Sequence, residues 1–418
     1  MLLLKKPRVF YGYWIVVATF LCVFIFSGCG FYAFSLFVKP LQADLGWSRG
    51  EIMAAFTIWF LFMGVAAPFI GRVVDRHGAR SVISTGAIMT GLGFVFLSQM
   101  NSLWHFYISY AVTGAGMAAI GYVPASAVVS NWFKKRRGLA IGIMSAGIGI
   151  GGLALAPLVG GYLIPNFGWR ASYLALALVT WVLIIPLALL VIKTKPADMG
   201  LYPDGMEAPE AVATTTASLS ASEGLSLRMT LATPAFWLIA ITFLSSQFGQ
   251  TGVLQNQVPH LQDIGFPAVT VATAFGGLGL ASAIGKFGFG WLCDWIQAKY
   301  ALCIGLGLQL VSIIVLINIR PASPLALIWL YTIMMGLGVG SWLPTMSIIT
   351  STNFGLASYG AIFGVISLAF AIGSALGPLT AGYMYDTMNT YYWAFVIFSA
   401  LYLVAIPAIL AVRRPKPL

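Results

Sequence analysis

Runs of at least 18 apolar residues recur along almost the whole chain, each long enough to cross a hydrocarbon core of about 30 Å as a helix. They fall at approximately 13–38, 51–70, 81–100, 104–128, 138–163, 170–192, 235–258, 269–292, 301–319, 325–349, 360–385 and 391–411. Backbone amides in lipid find no water, so a run of this kind satisfies its own hydrogen bonds as a helix. Charged residues are 8% of the chain, against about 25% in soluble domains. The expected fold is an all-α membrane protein with twelve transmembrane helices. Lys5, Lys6 and Arg8 precede the first run as they would in a signal peptide, but the run is long and lacks a clear small-residue cleavage site. It reads as the first spanning helix.

The net charge of +11 records topology, not nucleic-acid binding. With an even number of helices, one side receives seventeen cations, from Lys5, Lys6 and Arg8 through Arg76, Arg80, the run Lys134 to Arg137 and Lys299 to Lys416. The other receives Lys39, Arg49, Arg170 and Arg320; with Lys286 left over, these account for all 22. The positive-inside rule makes the rich side cytoplasmic, with both termini there, and places the chain in the cell's inner (plasma) membrane. Cys22, Cys29, Cys293 and Cys303 show no metal-type spacing, and His77, His105 and His260 gather no carboxylates into a hydrolytic or metal constellation. No GxxxxGK[ST] phosphate loop occurs, and nothing points to a cofactor or an enzyme.

A polar stretch, 194–233, divides the chain into 1–193 and 234–418, and it is too poor in large apolar residues to build a core. The flanks repeat one another. GRVVDRHGAR (71–80) matches GWLCDWIQAK (290–299) at an offset of 219, GMAAIGYVP (116–124) matches GLGVGSWLP (336–344) at 220, and PLVGGY (157–162) matches PLTAGY (378–383) at 221. Three ordered matches at nearly one offset indicate two pseudo-symmetric six-helix bundles. Many secondary transporters are built this way, with the substrate near the midplane between the halves.

GRVVDRHGAR resembles the signature loop between helices two and three of the major facilitator superfamily, with Gly71, Asp75, Gly78 and Arg80 in the expected places. FYAFSLFVKPLQADLGWSRGEI (31–52), NWFKKRRGLAIGIMSAG (131–147) and PADMGLYPDG (196–205) are similar to the monocarboxylate transporter branch and its bacterial relatives, which include oxalate/formate antiporters. Two departures stand out. The branch's acidic start to helix one is FYGYW (10–14) here, and Gln297 replaces the second glycine of the repeated loop. The resemblance implies alternating access driven by ion gradients. Gly71, Asp75, Arg76, Arg80, Asp294 and Lys299 are expected to form a conformational latch at the helix ends, where carboxylates pair with cations and helix termini of the other half.

Lys286 is the sharpest feature. It stands inside GLGLASAIGKFGFGWLCDW (277–295), eight residues and therefore about 12 Å of helix before Asp294. A lysine at such depth costs about 2.5–3.5 kcal/mol on the insertion scale. The equivalent position in the first repeat is Ala67, so the fold does not itself require a cation there. Either Lys286 snorkels to the surface or it meets an anion, and depth favours the anion. In the branch it resembles, helix eight similarly carries a cation, usually arginine, that receives the substrate carboxylate; Lys286 falls on it. The oxalate exchangers place a second cation in helix eleven, whereas 360–385 holds none, which favours a monovalent anion. Monocarboxylate symporters carry an aspartate one turn earlier, where this chain has Ser282, so proton coupling would fall to Lys286 itself.

The remaining lining is expected from polar and aromatic groups in the spans: Tyr32, Tyr122, Gln250, Asn256, Gln257, Tyr331 and Trp342. Asn256 and its neighbours could equally hold helices together, and Tyr383 and Tyr385 could belong to an interfacial belt. The expected partners are thus a small carboxylate of the lactate or pyruvate type, a proton and the lipid bilayer. The competing readings are an oxalate/formate-type exchanger, an efflux transporter of hydrophobic compounds and a non-transporting membrane sensor.

Overall fold

The computed structural model describes residues 10–133, 137–205, 225–355 and 359–413; within them, the side chains at 67, 68, 71, 72, 75, 137, 138 and 359–361 are not described. Among these residues the chain is helical without strands, and it folds as a multi-pass membrane protein. Its long helices are α1 (Gly12–Leu45), α2 (Arg49–His77), α3 (Ala79–Ser98), α4 (Leu103–Trp132), α5 (137–163), α6 (Ile164–Leu190), α7 (Pro234–Asp263), α8 (Ala268–Trp295), α9 (Ala298–Asn318), α10 (Leu325–Phe354), α11 (Tyr359–Met388) and α12 (Tyr392–Leu410). The helices alternate in direction, which defines a terminal face carrying residues 10–11, 191–205, 225–233 and 413, and a distal face opposite.

Among the described residues, ten stretches are long and apolar enough to cross a membrane, and the difference from twelve has two causes. Helices α5 and α6 run together across Gly168, whose φ of 76° turns the chain back where a residue with a Cβ would be strained. Helix α7 falls below the hydropathy threshold because SSQFGQTGVLQNQ is polar, yet Ser245, Gln247, Gln250, Gln255, Asn256 and Gln257 are all buried. They are satisfied or shielded by protein and not by lipid, as polar groups at membrane depth must be.

The packing repeats with the sequence. Helix α1 packs on α5, α2 on α4, and α3 on α4 and α6; correspondingly α7 packs on α11, α8 on α10, and α9 on α10 and α12. Glycines set the closest approaches within each half: a Cβ on Gly151 would lie 2.4 Å from the Phe24 carbonyl oxygen, and one on Gly377 would lie 2.0 Å from that of Phe248. Small residues let helix backbones touch where no hydrophobic driving force acts between them. The halves meet along α2–α11 and α5–α8, with a smaller contact between α1 and α7.

Two pairs of irregularities flank this seam. Helices α1 and α5 each widen into a π-helical segment, Phe26–Tyr32 and Pro157–Leu163, a distortion frequent at functional sites. Helices α4 and α10 each break: α4 at Gly121, between Ile120 and Tyr122, and α10 at Gly340 and Ser341, between Val339 and Trp342. The breaks occupy equivalent places in the GMAAIGYVP and GLGVGSWLP repeats.

Candidate functional site

Helix α8 carries Lys286 on its inter-half face. At 3.6 residues per turn, Phe275, Gly279, Ser282 and Lys286 fall within about 60° of arc. The first two of these meet the other half: the Phe275 ring lies 5.0 Å from that of Tyr32 in α1, and a Cβ on Gly279 would lie 2.5 Å from the Gly149 carbonyl oxygen in α5. Lys286 stands one to two turns further toward the terminal face, where it is partly accessible. Among the described residues it has no hydrogen bond and no ion pair.

Two more elements converge on it. The α10 break abuts its backbone: a Cβ on Gly340 would lie 2.5 Å from both the Gly285 carbonyl carbon and the Lys286 amide nitrogen. The second segment of α10, Trp342–Phe354, therefore starts beside Lys286, and the positive end of its dipole adds to the ammonium charge. Helix α5 runs antiparallel to α8, with Gly142 next to Phe287, Gly149 next to Gly279 and Ala283, and Leu153 next to Gly276. This register carries Ser145, on the same face as Gly142 and Gly149, to the level of Lys286. Sequence reasoning passed over Ser145 because a serine among small residues reads as packing.

The other expected lining residues divide into two groups. Tyr122, at the α4 break, is 50% exposed beside Phe26, with a small cavity under it that Met63 and Met117 also line. Trp342, at the α10 break, lies against Phe370 with ring centroids 4.5 Å apart and planes tilted by 40°, and is half-buried. Tyr32 is buried between α8 and α5, against Phe275 and Gly152. Of these, Tyr32 touches the other half, and Tyr122 and Trp342 mark the two helix breaks. In the other group, Asn256 is fully buried and donates from Nδ2 to the carbonyls of Gly252 (2.9 Å) and Pro378 (3.3 Å), tying α7 to α11. The Tyr331 hydroxyl donates to Gln257 Oε1 at 2.6 Å, tying α10 to α7. Gln250 accepts from Gln247 at 3.3 Å within α7.

Four of the six expected latch residues have described side chains. Arg76, Arg80 and Asp294 are exposed and unpaired among the described residues, and Lys299 donates to the Val412 carbonyl at 3.4 Å within its own half. The side chains of Gly71, Asp75 and Ala67 lie outside the description, as does the run Lys134 to Arg137.

On the distal face the halves are bolted by a charged cluster absent from the sequence reading. Arg49 is 1% exposed and donates from Nη2 to Asp263 (2.9 Å), from Nη1 to the Tyr391 hydroxyl (2.9 Å) and from Nε to Gln42 (3.1 Å). Its guanidinium also lies 3.7 Å from the Tyr385 ring centroid, so Tyr385 belongs to the bolt and not to a lipid-facing belt. Lys39 pairs with the same Asp263. Asp386 accepts from the amides of Arg49 (2.8 Å) and Gly50 (2.6 Å), capping α2 from the opposite half. His260 packs edge-on against Tyr391 and Phe395 beside this cluster. Deeper in, Thr57 donates to the Ala375 carbonyl at 2.6 Å and Gln255 to that of Phe31 at 3.2 Å. Every polar contact between the halves among the described residues is one of these. At the terminal face, the contacts of Tyr11 with Val191 and of Trp132 with Lys193 lie within one half. Among the described residues the polar ties between the halves are distal, and Lys286 lies on the opposite side.

A model of the Major Facilitator Superfamily matches residues 20–374 and 261–418. The oxalate:formate antiporter of Oxalobacter formigenes is 26% identical over 84% of this chain and 80% of its own length. Monocarboxylate transporter 13 of Bos taurus is 26% identical over 84% and 79%, and monocarboxylate transporter 12 of Xenopus laevis 29% identical over 78% and 73%. Among solved structures, a bacterial homologue of the human lysosomal transporter Spinster, inward-facing and unoccupied, superposes with a TM-score of 0.76 over 99% of this chain and 100% of its own, at 17% identity.

Proposed function

Because the chain belongs to the Major Facilitator Superfamily, we propose that it moves small monocarboxylates of the lactate or pyruvate type, together with a proton, by alternating access. It is a membrane transporter related to monocarboxylate transporters and to an oxalate:formate antiporter, and not an enzyme. The observation that carries the proposal is Lys286: an unpaired cation at membrane depth, on the inter-half face of α8, beside the start of a half-helix. A carboxylate there cancels the ammonium charge and accepts its hydrogen bonds. Ser145 across the seam, with Tyr122 and Trp342 at the two helix breaks, supplies the walls for the rest of a small acid.

The cycle follows from the two faces. With the distal bolt closed, a carboxylate reaches Lys286 from the terminal face, taken as cytoplasmic on the charge asymmetry. Neutralising Lys286 lowers the cost of enclosing the site. The terminal ends of α2 and α8 then approach, with Gly71, Asp75, Arg76 and Arg80 facing Asp294 and Lys299 as the latch, while the Arg49–Asp263 bolt parts. Binding energy is used only where it differs between the two states. A proton carried with the anion on Lys286 would couple the cycle to the proton gradient.

The test is uptake of labelled L-lactate into proteoliposomes under an inward proton gradient, with wild type and Lys286→Ala, and oxalate, formate and pyruvate as competitors. Gradient-driven uptake lost in the variant supports the reading. Normal uptake by Lys286→Ala removes Lys286 from the site. Uptake only into preloaded vesicles replaces symport with exchange, the reading that the likeness to the oxalate:formate antiporter favours.

A further inference from the structure

A second cavity lies away from the seam, wholly within the C-terminal half at its terminal face. It holds about 520 Å3 between the α8–α9 turn, the end of α10 and the residues after α12. Lys299 and Arg413 stand on its wall with Thr352 and Asn353, and the half-buried Ile296 and Ile348 contribute apolar surface. Asn353 spends its amide on the Ile349 carbonyl, and Lys299 makes a long bond to the Val412 carbonyl and lies 5.3 Å from the Tyr300 ring centroid, with no ion pair among the described residues. Arg413 is exposed without an ion pair among the described residues. The acid of the adjoining turn, Asp294, is exposed and pairs with neither cation. Two cations above an apolar wall form an amphipathic receptor for an anion that carries a hydrocarbon.

The surroundings fix the depth of this cavity. Trp291 and Trp295 project from the last turns of α8, 64% and 73% exposed, with their rings 5.8 Å apart. Tyr300, at the start of α9, is 46% exposed. Aromatic side chains of this kind gather at the level of lipid headgroups. Basic pockets between transmembrane helices at that level hold anionic headgroups.

We propose that this cavity binds the phosphate of an anionic phospholipid through Lys299 and Arg413, with the start of the acyl chains over Ile296 and Ile348. Nothing in this site touches Lys286, so the proposal stands apart from the identity of the transported anion. Occupancy would hold the α8–α9 turn against the C-terminal residues and steady the half that carries Lys286.

Native mass spectrometry of the full chain in detergent tests it, with dioleoyl phosphatidylglycerol, dioleoyl phosphatidylcholine or inorganic phosphate added. Wild type is expected to retain phosphatidylglycerol at collision energies that strip phosphatidylcholine. Lys299→Gln with Arg413→Gln should lose that retention about tenfold or more, as two interfacial cations warrant. Lys195→Gln, an exposed cation at the start of the linker, should keep it. Thr352→Trp, which fills the cavity without changing charge, should lose it too, and serves if the double variant does not fold. Equal retention of both lipids, or retention unchanged in the double variant and in Thr352→Trp, overturns the proposal. Displacement of the lipid by equimolar inorganic phosphate would assign the cavity to a free anion and overturn the lipid.

Discussion

Replacing Arg49 with alanine should tilt the molecule toward distal opening. In the sealed state the guanidinium serves Asp263, Tyr391, Gln42 and the face of Tyr385, and it is 1% exposed. Removing one partner of a buried charged pair costs about 3–5 kcal/mol, and a hydrogen bond to a charged group contributes about 1.5–3. Asp263 retains Lys39 and some access to water, since its side chain is 23% exposed, which lowers the figure to about 2–3 kcal/mol for the sealed state. In the distally open state Arg49 is hydrated and its loss costs little. The equilibrium should therefore shift roughly 30- to 150-fold toward opening. The assay is double electron–electron resonance between spin labels at 104 and 325, where Trp104 and Leu325 are exposed at the distal starts of α4 and α10, one in each half. A background lacking Cys22, Cys29, Cys293 and Cys303 confines the labels to those sites. Arg49→Ala should add a longer-distance population that wild type lacks. An unchanged distance distribution would show that the bolt does not hold the halves, and the reasoning from its geometry would fail.

Three other outcomes follow from the same contacts. Gly149→Leu drives side-chain atoms into the Gly279 carbonyl, 2.3 Å from the first added carbon, so transport should fall more than tenfold while the folded protein remains monodisperse by size exclusion. Asn256→Ala removes the tie from α7 to the Pro378 carbonyl and should cost about 0.6–1.7 kcal/mol, read as a lower melting temperature with lactate KM within twofold of wild type; a tenfold rise in KM at unchanged melting would make Asn256 a ligand. Lys286→Arg should retain part of the uptake that Lys286→Ala loses, because charge is kept while the head enlarges beside Gly340; uptake equal to that of the alanine variant would show that charge alone does not suffice.

The spans were legible because lipid imposes one demand on every residue of a run, and a run is local. The even offset of three short motifs disclosed the duplication, and the packing of the helices repeats in the same order. Lys286 stood out for a related reason: a single cation in an apolar helix needs no partner in the sequence to be conspicuous. Arg49 is more fully buried, yet it sits at a run's edge, where a cation is ordinary, and Asp263 and Asp386 lie more than 200 residues away. Pairing at that distance is written in the tertiary fold alone. The helix breaks had a local trace, since Gly121 and Gly340 fall within motifs that served only to mark the repeat, and a glycine one or two residues before an aromatic residue was the available signal. Asn256 shows the opposite limit: its chemistry suits a ligand and a helix tie equally, and only its bond to Pro378 separates the two.

The cap that Asp386 places on α2 bears on how the molecule is made. Residue 386 leaves the ribosome 336 residues after Gly50, so the first six helices insert while two amides at the start of α2 have only water as partner. The second bundle thus arrives to find a docking point already exposed at the membrane surface. Two separately translated halves would carry the same complementary ends, and the α2 terminus would steer them into the pairing that a single chain reaches through its linker.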